Sequence, residues 1–168
     1  PNSNIELIDR EFHRMRRVDT ILDRLLGDLE GMDYDFVILD CQPSKTRIND
    51  AVLCYIDHII MPVQVEIASV RAVRNIYDYL RDLEISKEKI ALIIPNMYND
   101  VTNDAEENLN LLHDIFEDQK DIITKPIYRR VKITEAGKHG KTVFEYDEKA
   151  AEQFFDVIEK VVEKIAWR

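Results

Sequence analysis

Acidic, amide and basic side chains follow the apolar runs of this sequence, at points where strands would end. Asp40 follows the run over residues 36–39, and Asn96 follows the run over 89–95. A carboxylate after a hydrophobic strand is a common way to hold Mg²⁺ near nucleotide phosphates, often through water. The alternative for Asp40 is a residue that only caps the next helix or turn.

Apolar periodicity predicts the elements that would position these side chains. Steps of three and four residues predict helices over 5–29, from Ser44 to about Tyr55, and over 68–83, 103–117 and 148–166. Short apolar runs predict strands over 36–40, 58–63, 89–96 and 122–127. The first strand is predicted to be buried on both faces, and a loop is predicted between the fourth strand and the last helix.

This order of strands and helices predicts an α/β fold with a mostly parallel sheet and helices on both faces. No repeat or low-complexity linker interrupts residues 1–168, so a single domain is predicted. In open parallel sheets, ligands bind at the carboxyl ends of the strands. Asp40 and Asn96 both fall at such ends.

Composition excludes several classes of protein. The 168 residues carry a net charge of −10, so nonspecific nucleic-acid binding would need a local basic patch. Cys41 and Cys54 form no CxxC pair and predict reduced thiols in a cytosolic protein. No apolar run approaches the roughly 18 residues of a membrane span, so neither a membrane span nor a signal peptide is predicted.

Four stretches, in order and at similar spacing, resemble motifs of the ParA/Soj partition ATPases, which are relatives of MinD. They read YDFVILDCQPSKT, IIMPVQVE, IIPNMYND and IYRRVKITEAGKHGKTVFEYD. The resemblance runs from about Tyr34 to the C-terminus and is weak before it. It implies an ATP-binding P-loop NTPase fold.

The resemblance implies roles around a nucleotide. Asp40 would be the Walker B aspartate, which holds Mg²⁺ through water. Asn96 would hydrogen-bond the adenine edge, since an amide offers one donor and one acceptor. The alternative for Asn96 is an asparagine in a strand-to-helix turn. Tyr128 stands where the family has a proline near the adenine ring. The loop that senses the γ-phosphate would comprise Cys41, Gln42, Pro43 and Ser44, with Gln42 in place of a family proline.

The resemblance also implies contacts with DNA and with a second copy. Arg129, Arg130 and Lys132 would contact DNA phosphates without reading sequence, although a solvated basic face is the alternative. Gln64 and Glu66 match a loop near the active site and the dimer interface.

The family's phosphate-binding loop has no counterpart in this chain. Such a loop needs glycines whose N–H groups wrap the phosphates, and none of the four glycines lies in one. The chain opens with PNSN and no Met, so we expect the C-terminal portion of a ParA-like protein, incomplete at its N-terminus. Mg²⁺ and ATP would belong to the full-length protein, and this chain alone is predicted to bind neither and to hydrolyse no ATP.

Two hypotheses follow for function. In the first, the full-length protein is a bacterial cytoplasmic, nucleoid-associated ATPase for plasmid or chromosome partitioning. It would form a homodimer with ATP and bind DNA nonspecifically, without contacting a membrane. A ParB-like centromere-binding partner would stimulate its ATP hydrolysis. A cargo other than DNA, as in MinD-type positioning, is a variant of this hypothesis. In the second, the chain is a noncatalytic homologue without the P-loop that acts as a protein- or DNA-interaction module.

Overall fold

A computed structural model describes residues 21–41 and 45–165. These residues fall into two compact units. The first comprises residues 21–41, 45–57 and 82–85, and the second comprises 58–81 and 86–165. The single domain over 1–168 stays a prediction.

The first unit is built on two helices. Helix α1 (Ile21–Leu26) continues as a 3-10 turn over Gly27–Gly31, and α2 spans Arg47–Tyr55. Thr46 is the N-cap of α2, and its hydroxyl accepts a hydrogen bond from the Asn49 N–H at 3.3 Å. The helix therefore begins after Thr46. The sequence predicted a start at Ser44, which lies outside the described residues. Most of the helix predicted over 5–29 lies outside them as well.

The core of the first unit is small. Leu22, Ala51 and Val52 are buried. The partly buried side chains packed against these three are Leu26, Leu39, Ile48, Tyr55 and Ile56.

The strand predicted over residues 36–40 is wrong. This segment is neither helix nor strand, and Ile38 is 88% exposed. A strand needs a ladder partner, and within residues 21–41 and 45–165 no segment pairs with this one. An apolar run alone does not supply that partner, so the predicted burial on both faces is wrong too.

The second unit contains a parallel βαβ arrangement. Strands β1 (Ile59–Gln64) and β2 (Ile90–Asn96) pair in parallel, and α3 (Ile67–Asp82) connects them, its last residue being assigned to the first unit. A short 3-10 turn over Lys87–Lys89 precedes β2. These strands and α3 begin and end within one residue of the predicted bounds. The predicted α/β class with a parallel sheet is confirmed.

A segment over residues 122–128 continues the sheet beside β2. Parallel bridges join Ile93 to Ile123 and Tyr98 to Tyr128 in one register, but the residues between them form no continuous strand. Pro126 lacks an N–H, so the ladder is interrupted where it would need that donor. The fourth predicted strand thus exists as two bridges.

Helices make up the rest of the second unit. Helix α4 spans Asn103–Ile115 and is followed by a 3-10 segment over Glu117–Ile122. The later helices are α5 (Val131–Lys138), α6 (Val143–Tyr146), α7 (Glu148–Ala151), a 3-10 turn (Glu152–Phe154) and α8 (Phe155–Lys164). The loop predicted before the last helix is wrong, because α5 and α6 occupy it. In α6, Thr142 and Glu145 form a capping box, which stabilises a helix too short to show periodicity.

Burial is concentrated in β2. Residues Ile90 to Pro95 are all buried, and Leu92 and Ile93 have no exposed surface. Such a run is typical of a strand covered on both faces. No helix within the described residues is long and apolar enough to cross a membrane.

Candidate functional site

Three chain segments end at one edge of the sheet in the second unit. Gln64 pairs with Asn96 at the ends of β1 and β2, and the Val65 N–H donates to the Asn96 carbonyl at 3.0 Å. On the other side of β2, Tyr98 pairs with Tyr128. The sheet thus brings Gln64, Asn96 and Tyr128 to its carboxyl edge, which is where α/β sheets bind ligands.

The Asn96 side chain is held in place by the chain that follows it. Its Oδ1 accepts a hydrogen bond from the Met97 N–H at 2.8 Å. Met97 has a φ of 57°, in the left-handed region that non-glycine residues rarely adopt. The amide nitrogen of Asn96 has no hydrogen-bond partner within the described part of the chain. A half-buried amide with a free donor and a second acceptor lone pair can pair with a purine edge.

Two tyrosines stand beside Asn96. The Tyr98 and Tyr128 rings meet edge to face, with centroids 5.2 Å apart. Partial burial, followed by electrostatic interaction with Glu106, Tyr128 and Asp100, raises the pKa of Tyr98.

Gln153 holds Tyr128 at this edge. Its Oε1 accepts a hydrogen bond from the Tyr128 N–H at 2.7 Å, while its Nε2 donates to the Ala150 carbonyl at 3.0 Å. Neither Gln153 nor Tyr98 was predicted from the sequence as a site residue. The only sequence signal for Gln153 is a polar residue within the apolar periodicity of the last helical segment.

The predicted basic residues have different surroundings. Arg129 and Arg130 are exposed, and the Arg130 guanidinium lies 5.2 Å from the centroid of the Tyr128 ring. Lys132 instead forms an ion pair with Glu135 at 2.9 Å, which raises the pKa of Lys132 and lowers that of Glu135. The charge of Lys132 is therefore offset locally, whereas the two arginines face solvent.

The Lys132 surroundings continue onto α6. The Tyr146 hydroxyl donates to Glu135 at 3.3 Å, and Lys132 lies 5.7 Å from the centroid of the Tyr146 ring. His139 stacks on the same ring at 5.5 Å. These contacts fix the position of α5 relative to α6, and they were not predicted from the sequence.

Gln64 and Glu66 are exposed where β1 leads into α3. The Glu66 N–H donates to the Gln64 carbonyl at 2.8 Å, and the Glu66 carbonyl accepts from the Val70 N–H at 3.0 Å. Their backbones thus shape the start of α3, while both side chains face solvent.

Asp40 belongs to the first unit and is exposed. Leu39 before it packs against the core of that unit, which anchors the segment. The Cys41 thiol donates to the Leu39 carbonyl at 3.6 Å, and partial burial, with the Asp40 charge second, raises the pKa of Cys41. Cys41 is therefore a thiol at neutral pH. The other switch-loop residues, Gln42, Pro43 and Ser44, lie outside the described residues.

An Mg²⁺ ion would find one carboxylate at Asp40. Within residues 21–41 and 45–165 no group of three or more His, Cys, Asp or Glu side chains could hold a metal. Mg²⁺ retains several waters and is commonly held by one or two carboxylates together with nucleotide phosphates. An exposed carboxylate that bonds the ion through water fits that chemistry.

Comparison with known proteins identifies the family. An AAA domain family model matches residues 2–93, more than half of the chain. The chain is 26% identical over 155 residues to the sporulation initiation inhibitor protein Soj of Bacillus subtilis, covering 82% of this chain and 56% of Soj. It is 24% identical over 152 residues to the chromosome-partitioning ATPase Soj of Treponema pallidum, covering 89% and 57%. The chain thus spans a little over half the length of these relatives.

Solved structures show the same fold. Apo McdA of Cyanothece superposes with a TM-score of 0.78 at 17% identity, covering 95% of this chain and 66% of McdA. A complex of a McdA variant with ATP gives a TM-score of 0.75 at 17% identity, covering 98% and 64%. The family model, the Soj relatives and this fold agree, and the chain belongs to the family of ParA/Soj-type partition ATPases.

Proposed function

We propose that this chain is the C-terminal portion of a ParA-like ATPase that partitions plasmid or chromosomal DNA. The observation that supports this most is the sheet edge that brings Asn96 and Tyr128 together. The full-length protein would form a homodimer with Mg²⁺ and ATP and bind DNA nonspecifically in the bacterial cytoplasm, at the nucleoid. A ParB-like protein would stimulate its hydrolysis.

In this proposal Asn96 and Asp40 have separate roles in the full-length protein. The Asn96 amide donates to and accepts from the adenine edge, with its orientation fixed by the Met97 N–H. The Asp40 carboxylate holds the waters of Mg²⁺, and the bound ion would neutralise charge on the phosphates. The switch loop Cys41, Gln42, Pro43 and Ser44 would follow the γ-phosphate.

Nucleotide binding tests the adenine assignment. In the full-length protein, Asn96→Ala should weaken ATP binding roughly tenfold or more, because it removes two hydrogen bonds to adenine, each worth about 1 kcal/mol. GTP binding should change less, because guanine presents a different edge. Asn99→Ala is the matched control, since Asn99 is exposed and its side chain accepts only from the nearby Val101 N–H among described partners. Equal losses in both variants would remove Asn96 from the site.

Hydrolysis tests the role of Asp40. Asp40→Asn should abolish Mg²⁺-dependent ATP turnover by the full-length protein while leaving its fold intact, because Asp40 is exposed. The isolated 168-residue chain should show no turnover, since one carboxylate without a phosphate-binding loop holds Mg²⁺ weakly. Magnesium-dependent turnover by the isolated chain would contradict the proposal that it is an inactive portion.

DNA binding tests the basic residues. Joint replacement of Arg129 and Arg130 by Ala should weaken binding to duplexes of any sequence and reduce the salt slope by about two, or about one per lost phosphate contact. Lys132→Ala should have a smaller effect, because Glu135 already pairs with Lys132. The control replaces the exposed Arg71 and Arg74 of α3 by Ala. An equal loss in the control would point to bulk charge and not to this surface.

A further inference from the structure

The last helix exposes an apolar stripe. Phe155, Ile158 and Val162 of α8 are 51%, 44% and 44% exposed, and their spacing of three and four residues places them on one side of the helix. No residue of α8 is buried. Phe144, 47% exposed, extends the stripe, since its ring lies 6.0 Å from that of Phe155. Contiguous exposed apolar surface of this kind marks an interaction site.

Negative charge lies alongside this stripe. Glu152, Glu159 and Glu163 are exposed, and none of them forms an ion pair within the described part of the chain. The two lysines of α8 do not compensate for them. Lys160 donates to the Ile123 carbonyl at 2.7 Å, and Lys164 pairs with the Asp121 carboxylate.

A pocket of about 430 Å³ opens beside the stripe. Its apolar walls are Pro126, Tyr128 and Phe155, and Glu152 and Glu159 also line it. The other polar lining residues already have partners: Lys125 pairs with Asp156 at 3.4 Å, and Gln153 bonds the Tyr128 N–H. Apolar and aromatic walls with two unpaired carboxylates fit a lysine or arginine, whose methylenes would pack on the rings while its charge meets the glutamates.

We propose that α8 and this pocket dock an amphipathic helix of a partner protein. The partner helix would place apolar side chains on Phe155, Ile158 and Val162, and insert one lysine or arginine between Glu152 and Glu159. A second copy of this chain would bring the same glutamates into the contact, and an anionic membrane would be repelled by them. The proposal goes beyond the proposed function, because it needs neither nucleotide nor DNA.

Two synthetic peptides test this proposal with the 168-residue chain. Both are helical over about four turns and carry leucines at steps of three and four residues, with lysine and arginine beside the leucines in one and glutamate in the other. In fluorescence anisotropy without nucleotide, the basic peptide should bind at least about tenfold more tightly than the acidic one. Joint reversal by Glu152→Lys and Glu159→Lys should weaken its binding at least about tenfold.

A control reverses the same number of charges elsewhere. Glu88→Lys with Glu107→Lys changes two exposed glutamates that line neither the stripe nor the pocket, and should leave affinity for the basic peptide within about twofold. Ile158→Ser should weaken binding of the basic peptide as well, with unchanged circular dichroism.

Four results would overturn the proposal. Two concern the peptides: equal binding of both, or unchanged affinity of the basic peptide when Glu152 and Glu159 are both replaced by Lys. The other two concern different occupants: self-association of the chain that Val162→Glu abolishes, or binding to phosphatidylglycerol vesicles that the basic peptide does not displace. Because no nucleotide or DNA enters the assay, its failure is distinct from failure of the proposed ATPase function.

Discussion

Two apolar runs of similar composition have opposite surroundings in this molecule. Residues 36–39 read FVIL and lie in the first unit, where Phe36, Val37 and Ile38 are 48%, 50% and 88% exposed. Residues 90–94 read IALII and form most of β2 in the second unit, where all five are buried. Both runs are hydrophobic, so hydrophobicity does not explain why one is exposed and the other is buried.

Neighbouring elements explain the difference. β2 has β1 on one side and the bridges to residues 122–128 on the other, and these neighbours satisfy its backbone N–H and C=O groups. Elements such as α8 pack against β2, and this packing covers its side chains. The run over 36–39 has no such neighbour within the described residues. A buried strand therefore requires its neighbours as well as its own sequence.

The largest expected effect is the difference between two isoleucine truncations. Ile93→Ala should destabilise the chain by about 3 kcal/mol, because it opens a cavity in a fully buried strand. Ile38→Ala should cost less than about 0.5 kcal/mol, because the side chain is already in water. Urea denaturation of both variants would measure this difference. Similar losses would mean that the 36–39 run is paired in solution, and the comparison of the two runs would fail.

The fold of the second unit could be predicted from the sequence to a large extent. α3 and β2 show local patterns that agree with their tertiary surroundings, so periodicity found them. The helices α5 and α6 escaped prediction, because they are short and are ordered by contacts such as Lys132 with Glu135 and Thr142 with Glu145. Contacts between side chains leave no periodic signal.

The candidate site could be predicted only in part. A residue at a strand end is visible in the sequence, so Asn96 could be assigned to the carboxyl edge, whereas the role of Tyr128 came only from the family resemblance. The hydrogen bond that the Tyr128 N–H donates to Gln153 joins residues far apart in the chain, and a polar residue within an apolar helical pattern does not reveal such a partner. Asp40 also follows an apolar run, but that run is not a strand here, so position after such a run does not by itself establish a strand end.

The hydrogen bond between Gln153 and Tyr128 can be tested for its part in holding the segment over residues 122–128 beside β2. Gln153→Leu should destabilise the second unit by about 1–2 kcal/mol, because it removes the acceptor of a part-buried backbone N–H. Gln153→Glu keeps an acceptor at that position and should cost less. Amide hydrogen exchange at Tyr128 should accelerate in Gln153→Leu but not in Gln153→Glu. Unchanged exchange in both would mean that the two bridges to β2 hold the segment without help.

Replacing the N-cap of α2 tests whether this helix contributes to the stability of the first unit. Thr46→Ala should cost about 1 kcal/mol, because it leaves the Asn49 N–H without the Thr46 hydroxyl. Thr46→Ser retains the hydroxyl and should restore most of that loss. Denaturation followed by circular dichroism measures both. If neither variant changes stability, α2 contributes little in solution, and exposure of the 36–39 run would reflect a loosely formed unit and not a missing strand partner.

The smallest expected effect is a titration in the well-packed second unit. Burial, and secondarily the Asp118 carboxylate, raises the pKa of Tyr77 from 10.0 to about 12. Because the folded state favours the neutral phenol, this contribution to stability is fully present below pH 10 and is lost as the pH rises through about 12. In an ultraviolet difference titration, the tyrosine ionisation that occurs at the highest pH should therefore be absent from Tyr77→Phe. Asp118→Asn should lower the Tyr77 pKa only in part, since burial against groups such as the Phe116 ring, 5.3 Å away, is the larger cause. If the Tyr77 pKa returned to 10 in Asp118→Asn, charge and not packing would set this pKa. The contrast between the buried residues of the second unit and the exposed run over 36–39 would then be weaker.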